Sequence, residues 1–247
     1  MRPAVLVIAA TDSSGGAGLT RDVRVLTGFS VDALCAVTAV TVQSDLWVNA
    51  VYPVPPDIVR AQIAAAFATR QVGAIKIGML GTVAIVDAVV ESLSPRETVP
   101  IVLDPVLVAS SGGVLLDADG VAAMLKRLLP RVFLVTPNVP EVAALLQEPQ
   151  EIEEAALIRQ GRRLLEFGPQ AVLLKGGHGQ GEMAVDLLIL PGNIVHRIVS
   201  DRVQATSRGT GCALASVIAA GLASGMSLVD ACQTAKGYVE NMLHGTV

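Results

Sequence analysis

Aromatic residues are scarce in this chain. Phe, Trp and Tyr together make up 3% of its 247 residues, with a single tryptophan, while hydrophobic residues reach 52%. A buried core is therefore affordable in amount, but it must be built from Val, Leu, Ile and Ala. Acids and bases are interspersed and sum to a net charge of -4. With neither a basic stripe nor a cluster of stacking aromatics, the chain has none of the features that grip nucleic acid. Cysteine is sparse as well. Cys35, Cys212 and Cys232 are odd in number and form no Cys-x-x-Cys pair, which argues against a disulfide framework and a zinc site and fits a reducing cytoplasm. No apolar run reaches the ~20 residues of a membrane span. The apolar start "AVLVIAA" follows Arg2 as the core of a signal peptide would. It is short, however, and runs into Asp12 and a glycine cluster, so it reads as a buried strand entering a loop. Linkers, repeats, low-complexity segments and a Walker A sequence (G-x-x-x-x-G-K-[ST]) are also missing.

What the sequence does have is alternation. Val5 to Ala9 reads as a strand and Leu19 to Thr27 as a helix. Leu34 to Val42, apolar and β-branched, reads as one further strand. Pro55 to Ala68 has proline at a helix start and apolar residues at helical spacing. "AIKIG" is a strand, 83–93 a helix, "IVLDP" a strand, "VFLVTPN" another, and 139–146 a helix. Residues 151–167 form an amphipathic helix and "AVLLKGG" a strand. "AVDLLIL" and "IVHRIV" flank "PGN" as a β-hairpin. Helices over about 211–224 and 228–243 follow, the second opened by a Ser227–Asp230 cap. Repeated strand–helix units predict an α/β fold with a mainly parallel sheet covered on both faces. Ligands of such folds sit beyond the carboxyl ends of the strands.

Four loops therefore carry the functional argument. "TDSSGGAGLTRD" is a glycine-rich turn that is either only a tight turn or an approach for backbone N–H groups to a ligand. It lacks the glycine spacing of a dinucleotide fingerprint. In "TPNVPE", Asn138 and Glu141 lie three apart at a helix start, where a carboxylate either binds a cation through water or caps the helix. "LLKGGHGQGE" places Lys175 at the end of a buried strand before glycines, a position suited to phosphate or to an ordinary surface loop; His178 within it reads as a loop residue. In "SRGTGCALAS", Gly209-Thr210-Gly211 aims successive N–H groups at one anion, and the following helix adds its dipole. Cys212 then sits at a helix N-terminus, which predicts a lowered pKa; the other reading is a structural cysteine.

The pieces "TDSSGGAG", "KIGML", "VLDPVLV", "TPNVPE", "LLKGGH" and "GTGC", in this order, resemble the ribokinase-like superfamily. More narrowly, they resemble the hydroxymethylpyrimidine and phosphomethylpyrimidine kinases of thiamine biosynthesis. The resemblance runs from about Val5 to Leu243. It implies one ribokinase-like domain over 1–247, a three-layer α/β/α arrangement around a mainly parallel sheet. It also implies phosphoryl transfer from ATP, with Mg²⁺, to hydroxymethylpyrimidine, its monophosphate, or both, by a cytoplasmic homodimer. By matching positions, Gly209, Thr210, Gly211 and Cys212 are implied as catalytic, with Cys212 accepting the acceptor's proton. Asp22, Gln43, Met79, Val106 and Gly18 are implied for the pyrimidine, Asn138, Lys175 and Arg208 for the nucleotide, and Asp104 with Glu141 for Mg²⁺. Gln43 has its own rationale: one amide donates and accepts in a plane, matching a ring nitrogen beside an amino group. There are departures from the pattern. "QSDLWV" replaces the usual segment after the glutamine, Trp47 stands where a mobile loop is expected, Ser110 replaces a lysine, Arg208 replaces a histidine, and Ala10 replaces a glycine. Pyridoxal kinases share the cysteine-ending motif and are the first alternative; a catalytically weak pyrimidine-binding sensor is the second. A NAD-type oxidoreductase is disfavoured, because the glycine spacing fails.

Overall fold

The structure, a computed structural model, describes every residue except 1, 95–97, 109–112, 114, 178–180, 206 and 247. Ser110 and His178 lie outside the described residues. The chain enters through β1 (Ala4–Ala9), all of it buried. Val5, Val7 and Ala9 pack with one apolar set and Leu6 and Ile8 with another. A strand that is apolar at every position needs such cover on both faces. β1 lies between β2 (Asp32–Val37) and β5 (Ala74–Ile77), parallel to each. β6 (Ile101–Leu103), β7 (Leu134–Val135) and β8 (Ala171–Leu174) continue the parallel run. The hairpin of β9 (Met183–Ile189) and β10 (Val195–Asp201) closes the edge antiparallel. The order across the sheet is β10-β9-β8-β7-β6-β5-β1-β2.

Helices fill both outer layers. α2 (Pro56–Thr69), α3 (Val83–Leu93), α4 (Ala118–Ala123), α5 (Val139–Leu146) and α6 (Glu154–Leu165) supply core residues to the face of Leu6 and Ile8. α1 (Gly18–Gly28), α7 (Thr210–Ala223) and α8 (Leu228–Leu243) cover the opposite face. The three-layer α/β/α arrangement around a mainly parallel sheet, expected from the sequence, is thus present.

Three expectations about elements change. The single strand over Leu34 to Val42 is two strands in two sheets. The Thr38 N–H still reaches the Ala9 carbonyl (3.1 Å), but its hydroxyl donates to the Met79 carbonyl (2.6 Å), and its own carbonyl accepts from Val54 N (2.9 Å). Beyond this pivot the chain forms a separate hairpin of β3 (Ala39–Gln43) and β4 (Val48–Pro53). β4 and α4, with the π turn that extends α4 through Leu128, were not foreseen. Along β3, Ala39 and Thr41 are buried while Val40 and Val42 are exposed. The inner face joins Ala10, Met79 and Leu115 in a small apolar cluster at the carboxyl end of the main sheet.

Candidate active site

The loops after the parallel strands, together with the start of α7, enclose a cleft of about 830 Å³. At one end four elements bring together free backbone N–H groups and a charged cluster. Gly209 has φ 74°, and a Cβ there would strike the Gly16 carbonyl oxygen, so only glycine allows the loop to lie against "SSGG". The first helical bond runs from Ala213 N to the Gly209 carbonyl (2.8 Å). The N–H groups of Thr210, Gly211 and Cys212 therefore precede any intrahelical acceptor and remain available to an anion. Gly211 faces the charged pair of the cleft wall closely: a Cβ on it would lie 3.2 Å from Lys175 Nζ and 3.4 Å from Asp104 Oδ2.

Lys175 follows β8 and Asp104 follows β6; they pair at 2.9 Å, and Glu141 Oε2 stands 3.6 Å from the same ammonium. Burial opposes the Lys175 charge, but Asp104 and Glu141 more than compensate and hold its pKa above the ordinary range. Burial likewise raises the Glu141 carboxyl, with Lys175 opposing. Asn138 and Glu141 form a reciprocal capping box on α5: Asn138 N donates to Glu141 Oε2 (2.7 Å), and Glu141 N donates to Asn138 Oδ1 (2.8 Å). The capping alternative is thus present, and it aims the Glu141 carboxylate at Lys175. Among the described residues no group of three or more His, Cys, Asp or Glu is placed to hold a metal ion.

Cys212 overturns an expectation. It is the third residue of α7 and accepts a hydrogen bond from the Gly18 N–H. Burial nevertheless pushes its thiol up to about 11 against the opposing Lys76 ammonium, and Asp22 and Asp104 add to the rise. The helix terminus does not lower this pKa, because the buried thiolate loses more hydration than the N–H groups and Lys76 restore.

The other end of the cleft is an apolar pocket with a polar lip. Met79 is buried and Val106 half-buried against Ala10 and Leu115. Gly18, with φ 56°, packs against the Ala10 carbonyl where a Cβ would collide. Gln43, at the end of β3, donates from Nε2 to Asp12 Oδ2 and accepts from the Thr41 hydroxyl, both at 3.4 Å. These long bonds are easily exchanged for a ligand's. Trp47, more than half exposed, belongs to the β3–β4 turn, where Ser44 N donates to the Trp47 carbonyl (3.0 Å).

Two placements differ from expectation. Asp22 does not line the pocket. It is fully buried beneath it, bonded to Lys76 Nζ (2.8 Å) and the Ser216 hydroxyl (2.9 Å), and so ties α1, β5 and α7 together. Burial raises its carboxyl; Lys76 stays charged, held above its ordinary range by Asp22, Cys212 and Asp104 in spite of burial. Arg208, expected beside the nucleotide residues Asn138 and Lys175, turns instead to the lip. Its Nη2 donates to Asp12 Oδ2 (3.1 Å), and its Nη1 donates to Asp45 Oδ1 (2.9 Å) and Ser14 Oγ (2.7 Å). Asp12 and Lys76 are the site residues that the sequence did not single out. The only signal for Lys76 was one charge inside a four-residue apolar strand; Asp12 looked like any acid in a turn.

A helix start with free N–H groups at the carboxyl end of a parallel sheet, the lack of a Walker A loop, and a hairpin on the rim of the cleft define the ribokinase-like class of kinase. The sequence pattern of phosphomethylpyrimidine kinase matches residues 12–247, and the chain belongs to that family. A hydroxymethylpyrimidine/phosphomethylpyrimidine kinase of Rhizobium meliloti is 39% identical over 240 residues, covering 97% of this chain and 90% of the relative. The crystal structure of a Clostridium difficile phosphomethylpyrimidine kinase superposes with a TM-score of 0.85 at 32% identity, covering 98% of this chain and 99% of the other. The pyridoxal kinase of Staphylococcus aureus, in complex with AMP-PCP and pyridoxal, superposes with a TM-score of 0.88 at 30% identity, covering 98% and 87%. Among the described residues no helix is long and apolar enough to cross a membrane.

Proposed function

We propose that this kinase domain, spanning residues 1–247, transfers the γ-phosphoryl group of ATP to hydroxymethylpyrimidine, to its monophosphate, or to both. The observation that carries the reading is the approach of Gly211 to the Lys175–Asp104 pair, where free helix N–H groups and a permanent ammonium meet. Positioning and charge stabilisation of this kind supply most of the rate in phosphoryl transfer. In this reading Thr210, Gly211 and Cys212 hold the transferring group by their N–H groups, while Lys175 and Asn138 hold the nucleotide side. Asp104 and Glu141 are hard oxygen donors facing one point, a set that suits Mg²⁺, which binds through one or two carboxylates together with phosphates. Bound there, Mg²⁺ would supply charge neutralisation of the phosphates. Met79, Val106, Gly18 and Gln43 take the flat ring. Cys212, a neutral thiol at rest, accepts the hydroxyl proton through its minor thiolate form.

The second reading is phosphorylation of pyridoxal, which also carries a hydroxymethyl group on a flat nitrogen ring; the S. aureus likeness favours it. Identities of 36–39% to curated pyrimidine-kinase relatives weigh more. Steady-state assays with ATP and each acceptor decide the matter. The pyrimidine should be preferred in kcat/KM by about tenfold or more, the scale of discrimination by a pocket that hydrogen-bonds its substrate. A preference for pyridoxal, or no turnover with either, would overturn the reading. We also infer a cytoplasmic setting, which suits three unpaired cysteines, and a homodimer joined through the exposed face of the β3–β4 hairpin, where Val40, Val42 and Tyr52 stand together.

A further inference from the structure

We propose that Arg208 reads the phosphate of a phosphorylated acceptor, exchanging its contact with Asp45 for one with that phosphate. The proposal rests on the pyrimidine-kinase reading above. Among the described residues, the cations that line the cleft are Lys76, Lys175, Arg208 and Lys236. Three of them are committed to buried carboxylates: Lys76 to Asp22, Lys175 to Asp104, and Lys236 to Asp186. Arg208 differs. One of its two carboxylate partners, Asp45, is a turn residue whose side chain is 81% exposed. An ion pair with an exposed carboxylate is weak, because water and salt screen it. It is the contact in the cleft most easily given up to an incoming anion.

The other half of the guanidinium stays anchored. Asp12, only 3% exposed, holds Nη2, so the arginine keeps its direction when Nη1 changes partner. Asp12 does not repel the newcomer strongly, since its oxygens are already occupied by Ser14 N (2.9 Å), Ser14 Oγ (2.8 Å), Gln43 Nε2 and Arg208. A planar guanidinium fork suits a phosphate as well as it suits the carboxylate now bound. Arg208 also directly precedes Gly209, the cap of α7. Its guanidinium, on the lip beside Asp12 and Gln43, lines the same cleft as the N–H groups at the start of α7, so a phosphate held there stays within the cleft that receives the transferring group.

The two acceptors pose different problems. When the acceptor is an alcohol, its oxygen forms a bond to the γ-phosphorus, the bond to the bridging oxygen breaks, ADP leaves with that electron pair, and the hydroxyl proton must be taken up. When the acceptor is a phosphate dianion, one of its oxygens makes the same bond and ADP leaves in the same way, but no proton is released. The obstacle is instead the repulsion of two anions, which a guanidinium cancels. Cys212 serves the first case and Arg208 the second.

The test compares wild type, Arg208→Gln and Asp45→Asn at saturating ATP, with hydroxymethylpyrimidine and with its monophosphate. The readout is the ratio of kcat/KM for the monophosphate to that for the alcohol. Arg208→Gln should lower this ratio by about 30-fold, the usual consequence of losing a charge-assisted contact. Asp45→Asn, a change at an exposed turn that the fold will tolerate, should raise it several-fold by removing the only charged partner of Nη1 and leaving it the neutral Ser14 hydroxyl. An unchanged ratio in either variant would overturn the proposal and leave Arg208 as a strap between loops. A wild type that phosphorylates the alcohol but not the monophosphate overturns this proposal alone. A wild type inactive on both pyrimidines overturns the parent reading with it.

Discussion

Cys212 shows how much the surroundings of one atom outweigh its position in sequence. A cysteine in the first turn of a helix is expected to be acidic, yet burial beside Asp22 and Asp104 moves the thiol the other way, to about 11. At neutral pH only a trace is thiolate, so alkylation of Cys212 by iodoacetamide, followed by peptide mass mapping, should accelerate about tenfold per pH unit from neutrality towards pH 10. A rate that levels off near pH 7 would mean that the thiolate is already the resting form. The same logic gives the catalytic prediction: Cys212→Ala should lower kcat for the alcohol by about 100-fold, the scale of a positioned proton acceptor, and cost the monophosphate less. Turnover of the alcohol near the wild-type rate would reduce the residue to packing. Other single residues were harder to place from sequence. Gln43, Met79 and Val106 line the cleft, whereas Asp22 lies beneath it. Nothing local in "LTRDVRV" reveals that this acid meets Lys76, 54 positions away.

At the scale of elements, the start of α7 is the most exacting feature. Gly209 combines a left-handed backbone with contact against Gly16. Gly209→Ala should cost about 1–2 kcal/mol for the backbone alone and displace the free N–H groups. We expect turnover to fall by about 100-fold or more, the scale for losing an oxyanion donor, while circular dichroism keeps its helical signature. Retained turnover would show that the loop does not hold the transferring group. Gly211, by contrast, is confined by Lys175 and Asp104 rather than by its φ. Legibility followed the same division between local and distant causes. Val83–Leu93 and Val139–Leu146 lie where their apolar spacing and caps put them. The run over Leu34 to Val42 gave no sign of breaking, because Thr38 turns the chain through bonds to Ala9, Met79 and Val54 rather than through a glycine or proline. β4 escaped notice because its residues are only half-buried or exposed and so lack the apolar pattern of a core strand.

For the molecule as a whole, composition already required a core of aliphatic residues, and the two apolar layers on either side of the sheet are made almost wholly of them. The proposed homodimer uses what those layers leave out, the outward face of β3 and β4. Sedimentation should find wild type at twice the monomer mass and Val42→Glu at the monomer mass; a wild-type monomer at micromolar concentration would remove this interface. The strand order has a consequence for how the chain is made. β5 joins the free edge of β1, and from β6 onward each new strand joins the outer edge left by the one before it, so the sheet can widen in the order of synthesis. Its other face cannot be finished that way. Val5, Val7, Val102 and Leu134 wait for α7 and α8, which follow every strand of the sheet, to complete their cover. The same segment brings Gly209, Gly211 and Cys212. Until that segment folds, the sheet face has only α1 for cover, so in the proposed reading completion of the core and onset of activity are one event.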